Sequence, residues 1–189
     1  MKTQHIDRLF ERGVLRPLQS LPERVRQGIY VFANGFISLA ILAALAAATG
    51  SPLVFPSLGP TAYVLYLFPL APGSSPRDCL AGHAIGILCG YAALFLTGLA
   101  GLPDSSAHAI SWHRVVAAAL SLSATAAGMV FARVNHAPAC ATTLIVSLGI
   151  ISRPVDLLLI ELAVLLLVIQ AGVLNRLAGV PYPVWSGRR

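Results

Sequence analysis

The sequence predicts an all-α membrane protein built from a duplicated unit of full span, short broken or re-entrant helix, and full span, giving four long transmembrane helices plus two half-helices. Composition is the first reason: the 189 residues are 57% hydrophobic and only 11% charged, far more apolar than a soluble domain of this size. The second is a pair of interruptions, Pro56–Ala62 and His136–Thr143, where residues that open helices break apolar sequence. Proline fixes φ and lacks an N–H, so it suits the first turn of a helix. Each interruption is followed by an apolar run too short to cross a bilayer, which needs about twenty residues. Irregular backbone at membrane depth persists only where protein or a watery cavity satisfies its polar groups, and paired broken segments point to a transport site.

Residues 1–28 form a basic N-terminal segment. Ile6, Leu9, Phe10, Val14 and Leu18 recur among charges at near-helical spacing until Pro17 interrupts it. An interfacial helix on the cytoplasmic leaflet and a disordered tail both fit this pattern. The first repeat, residues 29–102, opens with a span over Ile29–Thr49, ended by Gly50-Ser51-Pro52. A short helix over Pro60–Ala71 follows; its twelve residues reach about 18 Å against a hydrocarbon core of about 30 Å. Either Gly50–Gly59 completes the crossing as extended chain or the segment turns back.

A second span covers Cys79–Leu99 and carries Gly82, Gly86 and Gly90, the small-residue spacing that lets helix backbones approach closely. Residues 103–114 form a polar loop. The second repeat, residues 115–177, contains a span over Val115–Ala132, a short helix over Pro138–Ile151 and a last span over Val155–Leu177, before a tail of residues 178–189. Pro76-Arg77-Asp78 with His83 recurs as Pro154-Val155-Asp156 with Glu161 at an offset of 78. The recurrence of both features at one offset argues for duplication.

The net charge of +6 does not imply nucleic acid, because six of the thirteen Lys and Arg lie in the first 26 residues, directly before a span. That placement marks a cytoplasmic flank facing membrane lipids. Both the crossing and the re-entrant arrangements obey the positive-inside rule with cytoplasmic termini, as in a bacterial inner membrane protein. Three crossings per half would make the repeats inverted, an arrangement common in secondary transporters. Six short apolar elements bury little surface alone, so a homo-oligomer is expected.

A helix N-terminus presents unpaired N–H groups and about half a positive charge, so two of them meeting in a low-dielectric interior would hold an anion without a fixed basic residue. Ser57 and Thr61 add hydroxyls in the first half, and His136, Thr142 and Thr143 add donors in the second; the alternative is that these hydroxyls bond only their own helices. His83 and Glu161 lie inside their spans, where an ionised carboxylate costs about 2.5–3.5 kcal/mol unless paired or hydrated. They form either a protonatable pair coupling ion to substrate, or a Glu161 that reaches the interface. Arg77 would draw anions to the cytoplasmic mouth, and Asp78 and Asp156 suit the positive ends of their own helices. The three cysteines form no CxxC pair, so neither a disulfide framework nor a metal site is expected, and no cofactor motif is present. Phosphate loops, HExxH and GxSxG are absent, so the chain is not expected to be an enzyme.

Leu58-Gly59-Pro60-Thr61-Ala62, then Pro76-Arg77-Asp78 with Gly82-His83, then His136-Ala137-Pro138-Ala139-Cys140-Ala141-Thr142 resemble, in that order, the FGAS-like, PRN-x-GH-like and HPPAGAT motifs of the HPP family of integral membrane proteins. The resemblance spans about residues 30–177. It implies four transmembrane spans, with nitrite transport proposed for plastid and cyanobacterial members. Gly59 and Thr61, then Arg77, Gly82 and His83, then His136, Pro138 and Thr142 are the positions it marks. Ala137, Cys140 and Pro60 depart from those motifs. The resulting expectation is a transporter or channel for a small anion or small polar solute, its site formed by Ser57, Gly59, Pro60, Thr61, His136, Pro138, Cys140, Thr142 and Thr143. A non-transporting membrane scaffold or sensor is the alternative.

Overall fold

The computed structural model describes residues 20–102 and 111–187. Among them are six α-helices and no strand: α1 Glu23–Thr49, α2 Leu58–Leu67, α3 Pro76–Leu96, α4 Trp112–Phe131, α5 Ala139–Ser147 and α6 Pro154–Leu177, with a 3₁₀ turn at Pro72–Ser74. Helices α1, α3, α4 and α6 are long and apolar enough to cross a membrane. The expected interfacial helix of the N-terminal segment falls largely on residues 1–19, outside the described residues. From Glu23 the chain is already α1, six residues earlier than the apolar run indicates, and Gln27 Nε2 donates to Glu23 one turn back at 2.9 Å.

Local chemistry corrects several boundaries. Helix α2 ends at Leu67, four residues short of the expected Ala71, because Pro69 supplies no N–H and disfavours the helical conformation of Phe68, which adopts φ −126° and ψ 53°. Helix α5 ends at Ser147 rather than Ile151, and Gly149 follows in the left-handed region at φ 75°. Helix α3 starts three residues early, at Pro76, because Ser75 caps it by accepting from the Asp78 N–H at 3.2 Å. Ser111 does the same for α4 through the Arg114 N–H, at 3.4 Å.

The direction of each helix follows from what its ends touch. Tyr30, early in α1, donates to Asn175 near the end of α6 at 2.7 Å. Beyond α6, the Tyr182 hydroxyl donates to the Ser74 carbonyl and the Trp185 carbonyl accepts from the Arg77 N–H. Thus α1 and α3 begin, and α6 ends, at one face of the bundle, here the proximal face. The C-terminal end of α4 lies there too, since Arg77 reaches the Ala132 and Arg133 carbonyls. At the distal face, Arg114 in the first turn of α4 donates to the Leu148 carbonyl just past α5.

Both short helices start at mid-height. The Leu65 carbonyl, near the end of α2, accepts from Asn175 at 3.2 Å, so α2 runs toward the proximal face. Its ten residues reach about 15 Å. Residues 50–57 therefore bring the chain down from the distal end of α1 without helix. In the other half residues 132–138 climb from the proximal face and α5 runs on to the distal face. Extended chain followed by a half-helix carries the polypeptide through the bundle in each case, rather than turning it back.

Helix α3 packs against α4, α5 and α6, and α6 packs against α1, α2 and α3. The close contact of α3 with α5 depends on glycine. A Cβ at Gly82 would stand 2.8 Å from the His136 Cβ, one at Gly86 2.8 Å from the Ala139 carbonyl oxygen, and one at Gly90 2.8 Å from the Thr143 carbonyl oxygen. The stripe anticipated from sequence is the groove in which α5 lies. Leu58, Leu65, Tyr66, Ile160, Val164 and Leu167 belong to the main apolar core, and Met129, Val134 and Ala139 form a smaller one. Replacing Gly86 by Val should lower stability by about 1–3 kcal/mol through overpacking. Thermal melts in detergent should show the loss, whereas Gly59→Ala, whose added methyl meets nothing within 4 Å, should leave the melting temperature unchanged or raised.

Candidate functional site

Four side chains meet where the short helices begin: Thr61 in the first turn of α2, His83 in the second turn of α3, His136 just before α5 and Thr142 in the first turn of α5. Thr61, His83 and Thr142 are 0% exposed and His136 is 1% exposed. The two imidazole rings lie 5.0 Å apart between centroids, inclined at 53°. His83 is held through both ring nitrogens, Nε2 at 3.1 Å from the Thr61 hydroxyl and Nδ1 at 2.7 Å from the Thr142 hydroxyl. Thr61 also donates to the Ser57 carbonyl at 2.8 Å and lies 3.4 Å from His136 Nε2. His136 Nδ1 is 2.7 Å from the Gly73 carbonyl oxygen, in the turn after α2, and 3.5 Å from Cys79 Sγ. One polar seam thereby ties together α2, α3, the 72–74 turn and the entry to α5.

Toward the proximal face the seam is closed by Arg77 and Asp78. Arg77 donates to Asp78 Oδ1 at 3.0 Å and to the Ala132 and Arg133 carbonyls at 3.1 and 3.2 Å. Asp78 Oδ2 accepts from the Asn135 N–H at 3.1 Å. Arg77, expected at a mouth, therefore stands at the proximal face and caps the carbonyl end of α4. Asp78 does stand in the first turn of its own helix, as expected, but it is not the side-chain cap. Ser75 is the cap, and the buried carboxylate also fastens the chain entering α5.

The remaining expected residues divide. Ser57 occupies the N-cap position of α2 and is fully buried, its hydroxyl without a partner among the described residues. Thr143 faces α4, where its hydroxyl is 2.8 Å from that of Thr125. Pro138 is buried at the start of α5. Gly59 and Pro60 are exposed at the surface of the bundle, and Cys140 packs on the smaller core with Ala81 and Ile85, so these three do not join the histidines. Glu161 Oε2 is buried with no partner among the described residues. The sequence suggests a His83–Glu161 pair; the structure sets His83 beside His136.

The backbone also departs from expectation. In the first turn of α5 the N–H groups of Ala139, Cys140 and Ala141 donate to the carbonyls of His136, Ala137 and Pro138. At α2, the Leu58 and Thr61 N–H groups are bonded to Phe55 and Ser57, and Pro60 has none. Any bound solute would therefore meet imidazole and hydroxyl donors, backed by two helix dipoles, rather than a nest of free N–H groups. Sequence reasoning missed Gly73 and Cys79. The signal at Gly73 is steric, since a Cβ there would collide with the Asn135 carbonyl. Among the described residues no group of three His, Cys, Asp or Glu is placed to hold a metal ion.

Long apolar helices around a buried polar seam define a multi-pass α-helical membrane protein. A model of the family described as HPP, transmembrane region, matches residues 21–183, and the chain belongs to that family. Neither a curated protein nor a solved structure matches it.

The Asp78 contacts make a direct test. Asp78→Ala removes the buried carboxylate that accepts from the Asn135 N–H and from Arg77, and should cost about 1–3 kcal/mol. Asp78→Asn keeps an acceptor oxygen and should lose less. Thermal unfolding of the detergent-purified variants measures both.

Proposed function

We propose that this protein carries a small anion, with nitrite the leading candidate, across the membrane through the junction at which α2 and α5 begin. One observation carries the reading: two half-helices start at mid-height, run in opposite directions and point their N-termini at a buried cluster of two histidines and two threonines. The partial positive ends of both helix dipoles favour negative charge there. No Lys or Arg belongs to the cluster, so an anion would be held without being trapped by a fixed charge.

A duplicated, inverted design supports the same reading. Pro138 follows Pro60 by the same 78 residues that separate the two Pro-x-Asp motifs. Each half-helix lies against the first long helix of its own half and the last long helix of the other, α2 with α1 and α6, α5 with α4 and α3. Arg24, Arg26, Arg77, Arg133 and Arg176 sit on helix ends at the proximal face, against Arg114 and Arg153 at the distal one. That bias supports a cytoplasmic proximal face, as in a bacterial inner membrane protein with cytoplasmic termini.

The second reading, a membrane scaffold or sensor, is favoured by the complete burial of the cluster, whose side chains already bond one another. Transport requires this closed junction to open. Replacing Thr61 and Thr142 together by Val keeps the shape while removing both hydroxyls. Nitrite uptake by proteoliposomes should fall by about tenfold or more, as expected when two hydrogen bonds of roughly 1 kcal/mol each are lost; unchanged uptake would remove these groups from the path. In a separate variant, Thr142→Cys, a small thiosulfonate reagent should label the new thiol at a rate that nitrite slows. A thiol inert from both sides of the vesicle would favour the scaffold.

A further inference from the structure

The hydrogen-bond pattern of the seam fixes where its protons sit. The Gly73 carbonyl can only accept, so His136 Nδ1 carries a hydrogen and donates to it at 2.7 Å. The Ser57 carbonyl likewise takes the single hydrogen of the Thr61 hydroxyl at 2.8 Å. Thr61 Oγ1 then faces His83 only as an acceptor, so His83 Nε2 carries its hydrogen. His83 Nδ1 is left as the acceptor of the Thr142 hydroxyl at 2.7 Å.

One position remains unfilled. With both imidazoles neutral, His136 Nε2 presents a lone pair to Thr61 Oγ1 at 3.4 Å, and no hydrogen lies between them. A hydroxyl oxygen has two lone pairs, and His83 uses only one. A proton added to His136 Nε2 therefore finds a waiting acceptor, and all four imidazole nitrogens of the seam are then satisfied without any side chain moving.

We propose that His136 Nε2 is the seat of one proton that accompanies each anion, making the protein an electroneutral anion–proton symporter. The proposal rests on the anion reading above. The proton forms an N–H bond at His136, the resulting imidazolium meets the negative charge of the solute, and both are released together on the far side. Nothing is oxidised or reduced. The surroundings fit a transient rather than a permanent cation. Facing His136 from α3 are Cys79 and His83, and Asp78 binds the adjacent Asn135 N–H while shared with Arg77. Thr61 from α2 and the Gly73 carbonyl are uncharged, and α5 contains no charged residue. A lasting positive charge would lie 5.0 Å from a second imidazole with no carboxylate of its own.

The test uses the purified full-length chain in lightly buffered detergent near neutral pH. Sodium nitrite is added while a pH indicator records proton uptake, and calorimetry records binding in parallel. The expected result is about one proton taken up per nitrite bound, the single vacancy in the donor count. In His136→Gln, proton uptake should be abolished even where nitrite still binds. Binding to the unaltered protein with no proton taken up overturns the symport proposal and leaves the anion reading intact. No binding of nitrite overturns both. Since the unaltered protein decides the outcome, the proposal stays falsifiable if His136→Gln fails to fold. Uptake in proteoliposomes supplies the second readout: nitrite entry should rise with an inside-alkaline gradient and ignore a potassium-diffusion potential, and the reverse pattern sinks the proposal.

Discussion

Polar backbone at mid-height in a hydrocarbon slab has no water to turn to, and the rest of this structure depends on how that demand is met. Two stretches without helix, residues 50–57 and 132–138, descend into the bundle from opposite faces. The Gly73 carbonyl and the Thr61 hydroxyl belong to the first half of the chain, and His136 and Thr142 to the second. Their bonds through the two imidazoles close the gap between the halves. A buried donor or acceptor left open costs about 1–3 kcal/mol, so such a seam rigidifies the junction only because almost all of it is satisfied.

Glycine decides which half carries the polar contacts. Gly82, Gly86 and Gly90 let α5 lie directly on α3, bringing His136 into contact with the face that bears His83. The same register on α6, 78 residues later, holds Ile160, Val164 and Val168, all buried in the apolar core. Helix α3 thus offers a narrow groove and an imidazole, and α6 a bulky apolar wall and Glu161. The two halves of the chain are therefore asymmetric, with the polar contacts gathered on the α3 side.

The arrangement also changes what a solute would meet. Because the first-turn N–H groups of α5 are already bonded, the helix ends act through their dipoles while imidazoles and hydroxyls supply the hydrogen bonds. Imidazole can donate through one ring nitrogen and accept through the other, so His83 links a hydroxyl of each half of the chain. Arg77 and Asp78 at the proximal end hold the chain entering α5 in place and stand between the seam and that face.

Much of this was legible from residue order. Hydropathy and length set four long spans, proline and glycine punctuation placed two half-helices within a few residues, and the glycine spacing on α3 announced a close helix contact. Thr61, His83, His136 and Thr142 all stood out as polar groups in apolar surroundings. Their partners did not. Whether His83 faces Glu161 or His136, whether Gly59 and Pro60 turn inward or out, and which backbone N–H the Asp78 carboxylate reaches all depend on how each helix is rotated and which neighbour it meets. Local periodicity and capping are properties of a few consecutive residues and can be read along the chain. Side-chain pairing across 22, 59 or 75 residues is set by packing of the whole bundle, and only the tertiary structure decides it.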